Sequence, residues 1–186
     1  CGATVININP MYKTREIENL LIDSEAEYIF VLDKFYSELK PCIKKSNLKK
    51  IIICKINDLL NPFMKLLVPI IMIYKRQSVS IQNNKNIIYF KDIISNNFGY
   101  EDVYVESDDI ALLQYTGGTT GKSKAAILTH KNLLSNVQQV SNWIEPHIKP
   151  GEEIIITALP LFHIFSFTVN CLTFLKIGAE NVLIAN

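Results

Sequence analysis

A short run rich in glycine and threonine, set between two apolar segments, is the feature that most restricts the fold of this chain. Residues 115–124 contain three glycines, three threonines and two lysines. Glycine allows backbone conformations and close approaches that a Cβ would block. The apolar segments on either side, Ile110–Tyr115 and Ala125–Thr129, predict strands. We therefore expect a strand-connecting loop whose backbone is open to a ligand.

The composition of this loop is suited to a polyphosphate. Successive backbone N–H groups can form an anion-binding nest, threonine hydroxyls can bind phosphate or magnesium, and lysine supplies compact positive charge. The alternative is a glycine hairpin that only links two strands. A P-loop is disfavoured, because its first glycine would fall at Thr116 and because a strand, not a helix, follows the loop. The dinucleotide pattern GxGxxG is also absent.

Along the rest of the chain, apolar strands alternate with amphipathic helices. Thr14 is expected to cap a helix that buries Ile17, Leu20 and Leu21. We expect an irregular excursion over 56–86, because prolines and asparagines interrupt it. Two further strands, Tyr28–Leu32 and Lys50–Cys54, are predicted to be buried. The remaining predicted strands are Glu153–Thr157 and Val182–Ala185, and the remaining helices are His130–Glu145 and His163–Lys176. This order predicts an α/β fold with a largely parallel sheet flanked by helices.

Charge and cysteine usage exclude several classes of protein. Nineteen basic and eighteen acidic side chains give a net charge of +1, which does not favour nucleic acid. The four cysteines show no metal-ligand or CxxC spacing, so a zinc or redox motif is excluded and a reduced cytoplasmic setting is expected. No signal peptide is visible, and the longest apolar run, 66–74, is too short to span a membrane.

Two motifs carry a resemblance to a known family. The first is the run from Tyr115 to Lys124 together with the apolar residues and His130 that follow it. The second is the heptapeptide Leu-Pro-Leu-Phe-His-Ile-Phe at 159–165. Both resemble motifs of the adenylate-forming (AMP-binding) superfamily, which includes acyl-CoA ligases, peptide-synthetase adenylation domains and luciferase. Residues 2–12, 15–18 and 170–172 look most like bacterial long-chain fatty-acid–CoA ligases.

The resemblance implies a partial domain. Residues 1–186 would form part of the large N-terminal domain of the adenylate-forming fold, truncated at both ends and without the C-terminal lid domain. Its first part, 1–98, would carry a lysine-rich and apolar excursion at 40–86, and its second part, 99–186, would carry the phosphate loop. Family members also need a Tyr-Gly-x-Thr-Glu segment and a lid lysine, so we expect the isolated chain to be inactive.

The implied reaction joins a fatty acid to the α-phosphate of ATP and then transfers the acyl group to coenzyme A. By resemblance, Lys124 would neutralise the phosphates, His163 would lie near the acyl carboxylate, and Thr116 would help to hold Mg²⁺. The implied catalytic residues are Lys124 and His163. The predicted nucleotide-binding residues are Tyr115, Thr116, Gly117, Gly118, Thr119, Thr120, Gly121, Lys122, Ser123 and Lys124, although Lys122 and Ser123 occupy positions where the family varies freely. The alternative is a non-catalytic nucleotide-binding remnant, such as a truncated pseudogene product.

One position departs from the family pattern. The family has glycine after the last lysine of the loop, and this chain has Ala125. A Cβ at that position would cost about 1 kcal/mol if the backbone there requires a positive φ.

Other features have two interpretations each. Six lysines at 40–55 and the apolar stretch 59–74, with Phe63, Leu66, Leu67 and Ile70, could form a peripheral membrane patch or a solvated lysine face beside ordinary core. The acidic run Glu101–Asp109 is interpreted as a solvated linker. His130 is expected to start a helix and Trp143 to pack. A homodimer of the full-length enzyme is left open.

Overall fold

The fold is taken from a computed structural model, which describes residues 2–59, 81, 84–96, 99, 101–116 and 123–184. The chain divides into two compact units, Pro10–Tyr100 and Cys1–Asn9 together with Glu101–Asn186. The first nine residues join the later unit because the first strand pairs with a strand of that unit. The predicted division into 1–98 and 99–186 therefore differs from these units chiefly in its first strand.

Strands and short helices alternate along the described residues. In chain order the strands are β1 (Val5–Ile6), β2 (Tyr28–Leu32), β3 (Lys50–Cys54), β4 (Ile87–Tyr89), β5 (Ile110–Thr116), β6 (Lys124–Thr129), β7 (Ile154–Thr157) and β8 (Glu180–Leu183). The α-helices are α1 (Thr14–Ser24), α2 (Tyr36–Leu39), α3 (Phe90–Ser95), α4 (His130–Ile144) and α5 (Phe174–Lys176), the last following a π-helical segment, Ser166–Thr173. The predicted α/β class is confirmed.

The unit Pro10–Tyr100 is built on a parallel sheet in the order β2-β3-β4. The central strand β3 is covered on both faces, so Ile51, Ile52 and Ile53 are all buried. The prediction that β2 is buried was wrong for Tyr28 and Phe30, which lie exposed. β2 is an edge strand of this three-stranded sheet, and alternate side chains point to opposite faces of a strand. Strand β4 and helix α3 were not predicted.

Helix α1 packs its apolar stripe into the core of this unit. Ile17, Leu20 and Leu21 recur at helical spacing and are buried, as the sequence predicted. Full burial of a leucine such as Leu21 contributes about 1.5–3 kcal/mol of transfer free energy. The cluster around it comprises Ile17, Leu21, Tyr36, Leu39, Cys42, Leu48, Ile51 and Ile53.

The cap of α1 differs from the prediction. Thr14 is the first helical residue and Lys13 is the N-cap. The backbone N–H of Lys13 donates to Glu16 Oε2 at 2.9 Å. The N–H and the hydroxyl of Thr14 both donate to Glu38 Oε2, at 3.0 and 2.7 Å. A carboxylate from another element therefore satisfies the start of the helix, where negative charge is favoured.

The lysine-rich stretch of this unit is tied to the fold by ion pairs. Lys45 Nζ lies 2.8 Å from Glu18 Oε1, and Lys49 Nζ lies 2.5 Å from Glu27 Oε1. The apolar side chains interleaved with the lysines include core residues such as Leu48. Most of the adjoining stretch, including Phe63, Leu66, Leu67 and Ile70, lies outside the described residues. Among the helices that the structure does describe, none has the length and apolar character of a membrane span.

The other unit contains a mixed sheet and a two-stranded sheet. The mixed sheet has the order β1-β5-β6, in which β1 and β5 are parallel and β5 and β6 are antiparallel. β7 and β8 pair in parallel. Only seven residues separate β5 from β6, whereas a parallel crossover needs a dozen or more. Every other strand pairing in the described part of the chain is parallel, which agrees with the predicted largely parallel architecture.

Helix α4 follows β6 directly. Thr129 caps it, since its hydroxyl oxygen accepts from the backbone N–H of Asn132 at 3.2 Å, and His130 is its first residue as predicted. The inner face carries the buried residues Val137 and Ser141. The expectation that Trp143 packs was wrong, because its side chain is 83% exposed. Its position lies two residues beyond Ser141, which turns it away from the buried stripe.

The contact between Thr14 and Glu38 predicts a pH-dependent stability. Hydrogen bonds from the side chain and backbone of Thr14, aided by nearby Lys13, hold the pKa of Glu38 below its ordinary value of 4.5. A lowered carboxyl pKa stabilises the fold above the unfolded pKa, and this contribution is lost as the pH falls through the folded pKa. We expect Glu38→Gln to lower the urea midpoint at neutral pH, and the difference from the wild type to shrink as the pH falls below 4.5.

Thr14→Val is the matched variant, because it removes only the hydroxyl donor from the same contact. Thr14→Val should also be less stable than the wild type at neutral pH. When Glu38→Gln is added to Thr14→Val, the further loss of stability should be smaller than the loss that Glu38→Gln causes in the wild type. A gap between Glu38→Gln and the wild type that is the same at every pH would contradict this account.

Candidate functional site

The two ends of the predicted phosphate loop are held side by side. β5 and β6 pair in antiparallel register up to Thr116 and Lys124, the last residue of β5 and the first of β6. The Thr116 hydroxyl donates to the Lys124 backbone oxygen at 3.3 Å. Thr116, Ser123 and Lys124 are all exposed. The pairing therefore fixes the two ends of the loop at the protein surface, with two hydroxyls and one ammonium group beside them.

The central residues of the loop lie outside the described part of the chain. These are Gly117, Gly118, Thr119, Thr120, Gly121 and Lys122. Their predicted contacts with phosphate stay predictions. Tyr115, which was predicted to bind nucleotide with them, is only 7% exposed. Side chains alternate along β5, so Tyr115 faces the interior and the next residue, Thr116, faces solvent.

The backbone conformation at Ala125 accommodates alanine in place of the family's glycine. Ala125 lies within β6 and pairs with Tyr115. Among the described non-glycine residues, Glu25 has the positive φ, at 52°, and Ala125 does not. The expected condition for a Cβ penalty is therefore not met, and alanine suits this strand position as well as any small residue.

His163 lies at the start of a helix and is exposed. Residues 164–165 are helical and continue into the π-helical segment Ser166–Thr173. The backbone N–H of Phe165 donates to His163 Nδ1 at 3.3 Å. In the neutral imidazole this contact leaves the proton on Nε2. His163 therefore offers an Nε2–H donor towards solvent, which is an arrangement suited to an oxyanion or carboxylate ligand.

The helix predicted over His163–Lys176 is present from residue 164, but its middle is not α-helical. Over Ser166–Thr173 the turns widen to a π-helix. The Ser166 hydroxyl donates to the Leu159 backbone oxygen at 2.8 Å, and the Thr173 hydroxyl donates to the Thr168 oxygen at 3.0 Å. π-Helical turns are rare and are frequent at functional sites. Sequence periodicity did not indicate this π-helix, which buries Ser166, Thr168, Asn170 and Thr173.

Gln114 links the two motifs, and the sequence analysis missed it. Its Nε2 donates to the backbone oxygens of Tyr115, at 3.3 Å, and Phe162, at 3.4 Å. The second of these bonds spans 48 residues of sequence. The structure thus brings the heptapeptide motif that contains His163 against the strand that leads into the loop. Only the apolar-to-polar change within β5 could have drawn attention to this residue.

Other titratable groups of the described residues do not form a competing site. The acidic run Glu101–Asp109 lies largely at the surface, and no group of three or more His, Cys, Asp or Glu side chains in the described ranges is arranged to hold a metal ion. The thiols of Cys42, Cys54 and Cys171 are free. Burial raises the pKa of Cys42 and Cys54, which keeps both thiols protonated at neutral pH and makes them poor nucleophiles.

Comparison with protein families and curated proteins gives one consistent result. The family model described as AMP-binding enzyme matches residues 1–186. The long-chain-fatty-acid–CoA ligase of Escherichia coli O157:H7 is 39% identical over 189 residues, which is 100% of this chain and 33% of that protein. The protein of the same name from Bacillus subtilis (strain 168) is 32% identical, over 98% of this chain and 33% of its own length. The chain spans about a third of the length of these relatives.

Solved structures agree with this result. A long-chain-fatty-acid-CoA ligase from Archaeoglobus fulgidus superimposes with a TM-score of 0.69 at 28% identity, covering 99% of this chain and 31% of that one. An anthranilate CoA ligase in complex with anthranoyl-AMP gives a TM-score of 0.73 at 20% identity, covering 100% of this chain and 31% of that one. At that lower identity the likeness supports the fold alone.

The extended backbone at Ala125 gives a direct prediction. Replacing Ala125 by glycine should destabilise the chain by about 0.5–1 kcal/mol, because glycine loses more backbone entropy on entering a strand. The measurement is the free energy of unfolding in urea. The matched control is Ala126→Gly on the same strand, which should show a similar loss. A stabilised Ala125→Gly variant would mean that this position does need a positive φ.

Proposed function

Because this chain belongs to the AMP-binding enzyme family, we propose that it forms the phosphate-loop part of an ATP-dependent long-chain fatty-acid–CoA ligase. The observation that carries the proposal is the full-length match of this chain to bacterial proteins named long-chain-fatty-acid–CoA ligase, at 38–39% identity. The proposed reaction joins a fatty acid to ATP to give an acyl-adenylate and pyrophosphate, and then transfers the acyl group to coenzyme A. The chain spans a third of these relatives, so the activity is proposed for the complete polypeptide that carries it.

The loop is proposed to bind the β- and γ-phosphates of ATP. The antiparallel pairing of Thr116 with Lys124 supports this, because it holds a hydroxyl oxygen and an ammonium group at the two ends of one glycine-rich segment. Backbone N–H groups and a lysine together stabilise the negative charge that moves onto the leaving pyrophosphate. Phosphoryl chemistry of this type depends on such positioning and charge neutralisation more than on covalent help from the protein.

The Thr116 end of the loop is suited to magnesium. Thr116 is exposed, and its oxygen, which donates its hydrogen to the Lys124 carbonyl, keeps lone pairs for a cation. Mg²⁺ accepts a small number of protein oxygens and completes its shell with phosphate oxygens and water, so a single hydroxyl ligand suffices on this side. When bound, the ion would neutralise phosphate charge. Thr116 would orient it, and Lys124 would carry the remaining charge.

His163 is proposed to face the acyl carboxylate. Its Nδ1 accepts a backbone hydrogen bond, so the Nε2–H group is the one that can donate to a carboxylate or to the carbonyl oxygen of the adenylate. A fixed donor of this kind orients the nucleophilic oxygen and lowers the cost of bringing two anions together. The exposure of the imidazole is consistent with a group that meets a ligand.

The role of Lys124 is tested by pyrophosphate exchange in the complete polypeptide. Lys124→Ala should slow fatty-acid-dependent exchange by about 30- to 1,000-fold, which corresponds to the loss of about 2–4 kcal/mol of transition-state stabilisation. Lys131→Ala, which removes an exposed lysine from α4, is the matched control and should retain full activity. Unchanged exchange in Lys124→Ala would refute the assigned role.

Peripheral contact with an anionic membrane surface is a separate proposal, made for a protein that otherwise works in the cytoplasm. The exposed side chains of Lys40 and Lys44 support it, since each lysine near an anionic surface contributes about 1 kcal/mol. The free thiols of Cys42, Cys54 and Cys171 fit a reducing compartment.

Co-sedimentation with liposomes tests the membrane proposal. Binding should increase with the fraction of anionic lipid and should weaken in a Lys40→Gln/Lys44→Gln variant, whereas Lys149→Gln, in the other unit, should have little effect. Sedimentation that does not depend on anionic lipid would leave the lysines as a solvated face only.

A further inference from the structure

One side-chain amide connects the two motifs of the proposed ligase. Gln114 Nε2 donates to the backbone oxygen of Tyr115 and to that of Phe162. Tyr115 immediately precedes Thr116 at the mouth of the loop, and Phe162 immediately precedes His163. Each carbonyl that the amide binds therefore belongs to the residue just before a proposed site residue.

The chemistry of these neighbours fixes the orientation of the amide. Both partners are carbonyl oxygens, which only accept hydrogen bonds, so the NH₂ group must face them. The Oε1 atom then points away, and it is buried without a hydrogen-bond partner among the described residues. A buried acceptor that is left unpaired lowers stability, and an apolar side chain of similar size would avoid that cost. Stability alone therefore does not account for a glutamine at this position.

A second buried polar atom lies near the same end of the strands. β1 and β5 are parallel, with Ile6 opposite Leu113, so the next residues along the two strands are Asn7 and Gln114. Asn7 Nδ2 is also buried without a partner in the part of the chain that the structure describes. The carboxyl ends of parallel strands are the places where open α/β sheets bind ligands. The unpaired polar atoms thus lie near the carboxyl ends of β1 and β5, where a ligand is expected.

We propose that Gln114 is a positioning residue for adenylation. By holding the Phe162 carbonyl against the end of β5, it fixes where the backbone presents His163 relative to Thr116 and Lys124, the two ends of the phosphate loop. The inference rests on the proposed function. Two reactants must meet at near-attack distance, and a misplacement of about 1 Å can lower the rate by about 100-fold.

The test is made on the complete polypeptide by pyrophosphate exchange. Gln114→Leu keeps the volume of the side chain and removes both donors. We expect kcat for adenylation to fall about 10- to 100-fold, the KM for ATP to change little, and the thermal midpoint to stay close to that of the wild type. Gln139→Leu makes the same chemical change on the exposed face of α4 and should behave as the wild type.

A double-mutant cycle with His163→Ala separates positioning from general packing. If Gln114 acts through His163, adding Gln114→Leu to His163→Ala should cost less than about twofold more. Fully additive losses, or a Gln114→Leu variant as active as the wild type, would overturn the inference. Gln114→Met repeats the test with a flexible side chain if the leucine variant folds poorly. Absence of exchange in the wild type and in Gln139→Leu would instead refute the proposed function.

Discussion

The antiparallel pairing of β5 with β6 is the interaction on which the rest of the proposed site depends. A glycine-rich segment loses more conformational entropy on ordering than any other kind of segment, so its ends must be held by structure outside it. Here the hydrogen-bonded pairing extends as far as Thr116 and Lys124, and the buried side chain of Tyr115 anchors the end of β5 in the interior. The loop can therefore be open to a ligand and still begin and end at defined points.

Local sequence predicted the elements that owe their form to local chemistry. The apolar runs of β3 and β5, the helical stripe of α1 and the start of α4 at His130 all follow from periodicity and capping. The antiparallel direction of β6 was also within reach, because the spacing between the strands leaves no room for a crossover. The length of the loop between β5 and β6 is enough to predict the antiparallel direction, whereas the alternation of strands and helices favours a parallel sheet.

The features that the sequence did not predict depend on partners far along the chain. Glu38 lies 24 residues from Thr14 and accepts hydrogen bonds at the start of the helix that Thr14 was expected to cap. Gln114 lies 48 residues from Phe162. No window of neighbouring residues contains either pair. The same reasoning applies to Trp143, whose packing would require a surface that the described part of its unit does not offer. The candidate site residues come from motifs and stay predictions, whereas the contacts that position Gln114 and Thr14 could be seen only in the structure.

Electrostatics favours a local rather than a global mechanism for attracting the nucleotide. With a net charge of +1, the chain has no overall field that would draw a polyanion from solution. Screening in physiological salt limits exposed charges to a reach of about 8 Å. In the proposed function, recognition of ATP would then come from groups in direct contact, which we predict to be backbone N–H groups of the glycine loop and the lysine at its end. Such groups cost little reorganisation when charge develops, and for that reason the proposed site does not require a strongly positive protein surface around it.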